Sequence, residues 1–465
     1  MTRSISVLAH HGVLLLSDLG ALLVSSTIGF VAWSGLVLHQ PLKPYLLLVP
    51  LLCLFPLAYA LADLYPGFGL GAVETLRRQS YCTAISFLSI AAASFALKAD
   101  AVYSRVTFGC TLATALVMLP VFRLLTLSIV KSFRWWGEPT VIFGTASEAS
   151  LTIGCLKRAF SLGYNVVGVL SSDGLSAGQH IDGIPILGDL ELVPELSRNG
   201  VSTLLAWDDS SVMAQLVHIR ARLRHVVFIR DDRLFPVERA KFRNLGGVLG
   251  IEFTNELLRR PNQMIKRVLD VILATIGLLI CLPVIALCAV LIKLVSSGPI
   301  FFRQEREGLH GRKFRVWKLR TMYADAEARL AELLKHDAEL RRQFERKAKL
   351  SRDPRLIPIV GKLLRRLSLD ELPQLWNVIL GDMSLVGPRP FPDYHLAMLS
   401  ADCKKLRMAV RPGLTGMWQV MVRSEGLIED QERFDIYYIK NWSLWLDLYI
   451  LARTGGAVLI ARGAY

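Results

Sequence analysis

The chain has 465 residues, enough for about three domains of roughly 150 residues each. Hydrophobic residues make up 52% of it and the mean hydropathy is +0.41, which exceeds the range of soluble globular proteins and indicates a membrane protein. A net charge of +15 suits anionic lipid, a phosphorylated substrate or nucleic acid. Because apolar segments accompany this charge, we expect lipid and phosphate as partners and no nucleic acid.

Four apolar runs occupy residues 1–130, and each approaches the ~20 residues that a membrane-crossing helix needs. They are Val7–Leu38, Tyr45–Leu64, Tyr81–Leu97 and Val106–Val130. Positive charge is densest at Arg77, Arg78 and Lys131, so the positive-inside rule places both ends of this segment in the cytoplasm. The sequence predicts a four-helix transmembrane bundle over residues 1–130, which also offers a surface for a homodimer.

Residues 131–255 alternate between apolar runs and a helical pattern, which predicts a Rossmann-like α/β domain with a parallel sheet. The predicted strands are Thr140–Gly144, Asn165–Leu170, Val201–Ala206 and His225–Ile229, with a helix at Ala146–Phe160. Only the first glycine of a dinucleotide-binding G-x-G-x-x-G motif is present, because Ala146 and Ala149 occupy the other two places. This degenerate motif favours a structural or regulatory domain, and NAD binding through the Gly144 loop stays open as an alternative.

Residues 256–465 begin with an apolar run, Val268–Val295, that is long enough to cross a bilayer. Basic residues flank both of its ends, and Pro283 near its middle removes a helical hydrogen bond. We therefore predict a re-entrant helical hairpin over residues 266–295, kinked at Pro283, with residues 131–465 in the cytoplasm. The alternative is an ordinary crossing helix with an external tail. A charged amphipathic helix is predicted at Ala324–Lys349.

Adjacent carboxylates, Asp370 and Glu371, follow two arginines in the stretch Arg365-Arg366-Leu367-Ser368-Leu369-Asp370-Glu371. One interpretation is a helix capping box, with Ser368 as N-cap and Glu371 as its partner. The other is catalytic: an Asp in the first turn of a helix stays ionised because of the helix dipole, as a nucleophile at phosphorus must be. The two interpretations are compatible.

Basic residues near this pair suit phosphate binding. Arg365 and Arg389 carry forked donors that match phosphate oxygens, and Arg389 lies between two prolines. Lys318 and Arg320 belong to Phe314–Met322, which predicts a strand with one basic face. A solvated edge strand is the alternative for that stretch.

Together these motifs resemble the bacterial sugar transferase family, the polyprenyl-phosphate hexose-1-phosphate transferases with a monotopic catalytic domain. The resemblance covers residues from about 260 to 465. The matching motifs are Lys266-Arg267-x-x-Asp270, Gly298-Pro299-x-x-Phe302-x-Gln304-x-Arg306-x-Gly308, Lys318-Leu319-Arg320-Thr321-Met322, Ser368-Leu369-Asp370-Glu371-Leu372-Pro373-Gln374, Gly387-Pro388-Arg389-Pro390 and Arg411-Pro412-Gly413-Leu414-Thr415-Gly416. The N-terminal bundle and the degenerate Rossmann-like domain resemble the long branch of the family. The motif Leu245-Gly246-Gly247-Val248-Leu249-Gly250-Ile251-Glu252 and the Gly463-Ala464-Tyr465 terminus resemble the undecaprenyl-phosphate galactose phosphotransferases within it. In the family a Ser-Pro pair kinks the membrane helix, whereas here Leu282 precedes Pro283.

The resemblance implies an α+β catalytic domain over residues 256–465 at the bacterial inner membrane, facing the cytoplasm. It implies that Asp370 attacks a UDP-sugar, releases UMP and holds the phosphosugar until undecaprenyl phosphate accepts it. Mg²⁺ is the implied cofactor, bound by Asp370 and Glu371. The substrate-binding residues it implies are Arg365, Arg389, Lys318 and Arg320.

The product expected from this resemblance is the first lipid-linked sugar of exopolysaccharide, capsule or O-antigen. Galactose is the expected sugar, glucose is the alternative, and no residue in these motifs distinguishes them. Two further hypotheses are a dinucleotide-dependent sugar-modifying enzyme and a non-enzymatic membrane sensor or assembly scaffold. Release of UMP from a UDP-sugar distinguishes the transferase from both.

Overall fold

The computed structural model describes residues 3–37, 39, 49–96, 104–133, 135–159, 162–174, 176–207, 212, 218–219, 221–229, 241–244, 249–252, 256–323, 355–421 and 428–460. The chain forms two compact units, Met1–Arg233 and Leu234–Tyr465. The predicted division into 1–130, 131–255 and 256–465 stays a prediction. The predicted helix Ala324–Lys349, the Leu245-Gly246-Gly247 motif and the C-terminal Gly463-Ala464-Tyr465 lie outside the described residues.

Four helices open the N-terminal unit: α1 Arg3–Gly29, α2 Leu54–Leu61, α3 Ala72–Ala96 and α4 Arg105–Val130. A π-helical segment, Phe30–Gly35, extends α1. All four helices contribute to one buried apolar cluster that includes Leu22, Phe55, Phe87 and Leu119. Four helices therefore pack against one another, and the predicted four-helix transmembrane bundle stays a prediction.

Two stretches of this unit, Ala9–Gly35 and Arg105–Val130, are long and apolar enough to cross a membrane. Helix α3 begins nine residues before the apolar run predicted at Tyr81–Leu97. The polar residues of its first turns join the helix because Glu74 pairs with Arg77 and Arg78, one turn further along. Membrane crossing by α2 and α3 stays a prediction.

A six-stranded sheet forms the rest of this unit, in the order β3-β4-β2-β1-β5-β6. The strands are β1 Glu138–Gly144, β2 Tyr164–Ser171, β3 His180–Ile181, β4 Ile184–Gly188, β5 Thr203–Trp207 and β6 His225–Ile229, and the helices are α5 Ala146–Arg158 and α6 Val193–Arg198. Every neighbouring pair is parallel except β3 with β4. The predicted parallel α/β arrangement is confirmed. Strands β3 and β4 were not predicted, because their runs are short and one contains Pro185.

The N-terminus of α5, where a Rossmann domain binds pyrophosphate, already has acceptors from its own chain. Thr145 caps the helix, and Glu148 Oε2 accepts from the Thr145 amide at 2.8 Å. Asp173 Oδ2 accepts from the Ala146 amide at 3.1 Å. These carboxylates place negative charge where a dinucleotide phosphate would lie, which supports the structural interpretation of this domain.

Over its described residues, the second unit combines helices with three separate two-stranded sheets, which is an α+β arrangement. The pairs β7–β8 and β9–β10 are antiparallel, and β11–β12 is parallel. Its elements are β7 Lys241–Asn244, β8 Leu249–Glu252, α7 Arg260–Val295, β9 Phe301–Glu307, β10 Lys313–Leu319, α8 Val360–Arg366, α9 Gln374–Leu380, β11 Ser384–Val386, α10 Asp393–Ala397, α11 Ala401–Met408, β12 Gly413–Thr415, α12 Met417–Met421, α13 Ile428–Asn441 and α14 Leu444–Ile460.

Helix α7 is continuous from Arg260 to Val295, with Pro283 inside it, and it is long and apolar enough to cross a membrane. One seam of the helix faces the rest of its unit along most of its length. The seam residues recur every three or four positions, as expected for one face of a helix: Arg267, Asp270, Ala274, Gly277, Cys281, Ile285, Cys288 and Ile292. The other face carries exposed apolar side chains. The kink at Pro283 and the re-entrant hairpin stay predictions.

Two polar side chains near the start of α7 fix neighbouring elements. The Arg267 guanidinium donates to the carbonyls of Val378 and Ile379, at 2.5 and 2.8 Å, and so caps the C-terminus of α9. Asp270 is buried and accepts from the Ser384 hydroxyl at 2.7 Å and the Leu385 amide at 3.1 Å, which holds β11.

Glycine is required where α9 ends. Gly381 has φ of 96°, and a β-carbon there would lie 3.2 Å from the Arg267 guanidinium. The residue thus combines a left-handed helix end with close approach of a long side chain.

We predict that Asp270→Ala destabilises the protein by about 1–3 kcal/mol, because the buried Leu385 amide loses its acceptor and the Ser384 hydroxyl keeps only the Val386 carbonyl. The measurement is the thermal unfolding midpoint of purified protein in detergent. Thr275→Val, an exposed position on the same helix, is the control and should leave the midpoint unchanged. Equal midpoints for Asp270→Ala and the wild type would contradict this role for Asp270.

Candidate active site

The two predicted carboxylates lie in a short turn between two helices. Helix α8 ends at Arg366, and Asp370 and Glu371 belong to a single 3₁₀ turn, Leu369–Glu371, just before α9. Ser368 adopts a left-handed conformation, with φ of 54°, and its side chain makes no capping hydrogen bond. The capping-box interpretation is therefore wrong. A left-handed serine stores backbone strain of the kind that clusters at functional sites.

Glu371 is the acceptor for two cationic side chains. Its Oε1 accepts from Lys318 Nζ and from Arg389 Nη2, both at 2.7 Å, and its Oε2 lies 3.4 Å from Arg389 Nη1. Burial opposes ionisation of Glu371, but Arg389 and Lys318 outweigh it and hold the pKa of this carboxyl well below its usual range. Glu371 in turn raises the pKa of Arg389. The structure thus brings three predicted site residues together as one ionised cluster.

Asp370 lies beside this cluster and retains 8% of its surface exposed. Burial raises its pKa above the usual value, and the charge of Glu371 adds to this, whereas Lys318, Arg365 and Arg389 lower it. The helix dipole was expected to lower the pKa of Asp370, whereas the pKa is raised. The reason is that Asp370 lies in a buried 3₁₀ turn and not in the exposed first turn of an α-helix. Three cations thus act on the carboxylate that the sequence assigned as nucleophile.

Strand β10 carries Lys318 to the pair, and Asn377 fixes that strand. Asn377 is fully buried on α9. Its side-chain carbonyl accepts from the Trp317 amide at 3.0 Å, and its side-chain amide donates to the Arg315 carbonyl at 2.9 Å. Sequence reasoning gave Asn377 no role, although it lies only six residues after Glu371.

The other two predicted basic residues have different surroundings. Arg365 acts electrostatically on Asp370, and its Nε donates to the Thr321 hydroxyl at 3.0 Å. Arg320 is buried and donates to the carbonyls of Ser296 and Ser297, at 2.9 and 2.8 Å, directly after α7. These contacts give Arg320 a structural role at the C-terminal end of α7. Substrate binding by Arg320 stays a prediction.

A buried ion pair supports the loop that carries Arg389. Arg407 donates to the Arg389 carbonyl at 2.5 Å, pairs with Asp435 and stacks over the Phe391 ring, 4.5 Å from its centroid. Both members of the pair are almost fully buried. The sequence gave no signal for this pair, since its members lie 28 positions apart on α11 and α13 and belong to no recognised motif.

Asp370 and Glu371 differ in how well they fit a Mg²⁺ ion. Glu371 Oε1 is already shared by two cations, so this carboxylate fits as their counter-ion. In the part of the chain that the structure describes, no three His, Cys, Asp or Glu side chains come together as a metal site. Mg²⁺ commonly takes one or two protein carboxylates and completes its shell with waters and substrate phosphates. Asp370 fits that requirement.

Comparison with known proteins identifies the family. A family profile described as bacterial sugar transferase matches residues 261–461, which include Asp370, Glu371 and the surrounding cations. An undecaprenyl-phosphate galactose phosphotransferase of Salmonella typhimurium is 32% identical over 370 residues, 78% of this chain and 77% of that protein. The chain belongs to the bacterial sugar transferase family. Its long apolar helices and its family place this transferase at a membrane.

Other similar proteins differ in length and in the sugar that they are named for. A UDP-glucose:undecaprenyl-phosphate glucose-1-phosphate transferase of Xanthomonas campestris is 30% identical over 471 residues, 94% of this chain and 92% of that protein. The exopolysaccharide production protein ExoY of Rhizobium meliloti is 40% identical over 203 residues, 43% of this chain and 88% of that protein. A second profile, described as a CoA-binding domain, matches residues 62–224 of this sugar transferase.

We predict that Arg407→Met lowers turnover at least tenfold, because the loop of Arg389 loses its carbonyl anchor. The same change should cost about 3–5 kcal/mol of stability, since it leaves Asp435 as an unpaired buried charge. Turnover is measured as UMP release from a UDP-sugar, and stability as the thermal unfolding midpoint.

The double variant Arg407→Met/Asp435→Leu separates the two effects. It removes the unpaired charge, so stability should recover toward the wild-type value while turnover stays low. If turnover recovers together with stability, the pair serves folding alone and does not position Arg389.

Proposed function

We propose that this sugar transferase moves a hexose-1-phosphate from a UDP-sugar to undecaprenyl phosphate, with Asp370 as covalent nucleophile. The single observation that carries the proposal is the arrangement around Asp370. The Asp370 carboxylate is buried beside Glu371, which Lys318 and Arg389 engage, and Arg365 adds a third positive charge that acts on Asp370. Such a cluster suits a reaction in which a carboxylate attacks a negatively charged phosphate.

The reaction consists of two displacements at the same phosphorus atom. An Asp370 carboxylate oxygen attacks the sugar-bearing phosphorus, the bond to the bridging oxygen breaks, and UMP leaves with that oxygen. The enzyme then carries a phosphosugar as an acyl phosphate. An oxygen of undecaprenyl phosphate attacks next, Asp370 leaves as a free carboxylate, and the product is a lipid-linked diphosphosugar.

Three cationic side chains near Asp370 would neutralise the charge of the diphosphate. Lys318 and Arg389 are held beside Asp370 by Glu371, so their donors are positioned before substrate arrives. Arg365 approaches from the end of α8. These three side chains would bind phosphate oxygens and lower the repulsion between Asp370 and the diphosphate. A Mg²⁺ ion bound by Asp370 and the substrate would supply further neutralisation of the diphosphate.

The relatives support the substrate class and leave the sugar open. Two of the relatives described above are named for galactose in one case and for glucose in the other, at 32% and 30% identity. We propose galactose-1-phosphate as the transferred group, with glucose-1-phosphate as the second candidate. The product would start the synthesis of a surface polysaccharide, in line with the exopolysaccharide relative.

The seam of α7 supports a catalytic unit that lies on one side of the membrane. Arg267 and Ile292 both contact the unit, and they are about 38 Å apart along a straight helix. The hydrocarbon core of a bilayer is about 30 Å thick, so a crossing helix could not meet one side at both positions. We therefore propose a re-entrant α7, with the catalytic unit in the cytoplasm, where UDP-sugars are available.

We predict that Asp370→Asn lowers UMP release by about a thousandfold or more, since the amide cannot form the acyl phosphate. A radiolabelled phosphosugar should remain on the wild-type protein in the absence of undecaprenyl phosphate, and no label should remain on Asp370→Asn. A panel of UDP-sugars in the same assay identifies the hexose. Near wild-type turnover by folded Asp370→Asn would refute the mechanism.

The membrane arrangement is tested by accessibility. Asn262→Cys and His310→Cys are introduced singly into a variant whose seven native cysteines are replaced. We expect that a membrane-impermeant maleimide labels neither position in intact cells and labels both after the membrane is opened. Labelling of position 310 alone in intact cells would show a crossing helix instead.

A further inference from the structure

A cleft lies where the membrane helix α7 ends and the ribbon β9–β10 begins. It has a volume of about 610 Å³ and is open to solvent on one side. Its lining is Lys293, Pro299, Ile300, Phe301, Arg303 and Trp317, together with the neighbouring Phe302. The lining thus combines two cationic side chains with aromatic and aliphatic surface, and none of these residues belongs to the proposed reaction.

The aromatic and cationic groups of the cleft are ordered among themselves. The Arg303 guanidinium lies over the Trp317 ring, 3.7 Å from its centroid, and Phe301 meets the same ring edge-on at 5.8 Å. Stacking of this kind orients a guanidinium and leaves its outer donors available. Within the described residues, neither Lys293 nor Arg303 forms an ion pair with a carboxylate. Among the residues that the structure describes, these two positive charges of the cleft are therefore not balanced by a carboxylate.

Buried contacts hold the walls of the cleft in place. Arg320 binds the carbonyls of Ser296 and Ser297, and its own amide donates to the Ile300 carbonyl at 2.8 Å. Gly298, with φ of 110°, makes room for this side chain, because a β-carbon there would lie 2.2 Å from Arg320 Nη1. The turn between Lys293 and Phe301 is thus fixed from inside by Arg320.

We propose that this cleft binds the phosphodiester headgroup of an anionic glycerophospholipid. Lys293 lies in the last turn of α7, next to exposed apolar residues of the same helix, so the cleft opens beside the surface that meets lipid. Tryptophan with lysine or arginine is the combination that occupies the interface between acyl chains and headgroups. Lys293 and Arg303 match the negative phosphate, and Phe301 and Trp317 match the adjoining glycerol and acyl region.

The geometry assigns the cleft to a bilayer lipid and not to the acceptor substrate. Consecutive residues of a strand point to opposite faces, so Trp317 and Lys318 lie on opposite sides of β10. Lys318 reaches Glu371 on one side, and Trp317 lines the cleft on the other. A phosphate bound in the cleft is therefore separated from Asp370 by the ribbon, whereas an acceptor phosphate must reach Asp370.

The test uses the full-length protein in a neutral detergent, titrated with phosphatidylglycerol or with phosphatidylcholine of the same acyl chains. The thermal unfolding midpoint is measured at each lipid concentration. We expect phosphatidylglycerol to raise the midpoint more than phosphatidylcholine does. In Lys293→Gln/Arg303→Gln, half-maximal stabilisation should need about thirtyfold more phosphatidylglycerol, since each basic side chain near the surface contributes about a factor of five. Each single variant should show about fivefold.

A matched control removes one arginine and one lysine that are exposed outside the cleft. Arg312→Gln/Lys405→Gln has the same net charge as the cleft variant and should keep the wild-type response. Equal loss in both double variants would reduce the effect to general electrostatics and overturn the proposal. An unchanged response of Lys293→Gln/Arg303→Gln to phosphatidylglycerol would also overturn the proposal.

A further arm replaces phosphatidylglycerol with undecaprenyl phosphate. The cleft variant should respond to undecaprenyl phosphate as the wild type does. If instead it loses that response and keeps the response to phosphatidylglycerol, the cleft is the acceptor site. Because the readout is thermal stability, this outcome does not depend on turnover, so a failure here is distinct from a failure of the proposed reaction.

Discussion

The first turns of α7 hold the elements that carry both parts of the candidate site, the carboxylate pair and Arg389. Asp270 holds β11, which leads through Gly387 and Pro388 to Arg389. Arg267, three residues earlier, caps the end of α9, the helix that follows the carboxylate pair. The elements that carry Glu371 and Arg389 are therefore both held by side chains on one face of α7. A catalytic unit without this helix would lose the contacts that support both the carboxylate pair and the loop of Arg389.

Electrostatics divides two adjacent carboxylates into different roles. Glu371 is paired with Lys318 and Arg389, and its pKa is held low, whereas burial raises the pKa of Asp370. Adjacent carboxyl groups whose pKa values are pushed apart are a recurrent device of active sites. Glu371 holds Lys318 and Arg389 beside Asp370, and both cations form their ion pairs with Glu371. The motif resemblance singled out Asp370, and the contacts of the two carboxylates give a physical reason for that difference.

Short-range patterns made part of this structure predictable. The apolar runs at Thr140–Gly144 and Asn165–Leu170 predicted β1 and β2. The family motifs that contain Arg365, Arg389 and Lys318 predicted that these residues act at one site with Asp370. The sequence could not show contacts between residues that are far apart along the chain and close in the folded structure. Arg320 was assigned to substrate because of its motif, yet its guanidinium binds carbonyls after α7. The Arg407–Asp435 pair and the left-handed Ser368 likewise follow from tertiary packing, which overrides local pattern.

The two faces of β10 allow one short ribbon to serve two environments. Lys318 extends toward Glu371 and the site proposed for a water-soluble nucleotide sugar. Trp317, the preceding residue, lines the cleft beside the end of α7. Asn377 fixes the backbone between them by binding the Trp317 amide and the Arg315 carbonyl. A lipid headgroup in the cleft would therefore press on the same strand that carries the active-site lysine. Trp317 and Lys318 share one peptide bond, so movement at the lipid face would reach Lys318 through the backbone that Asn377 restrains.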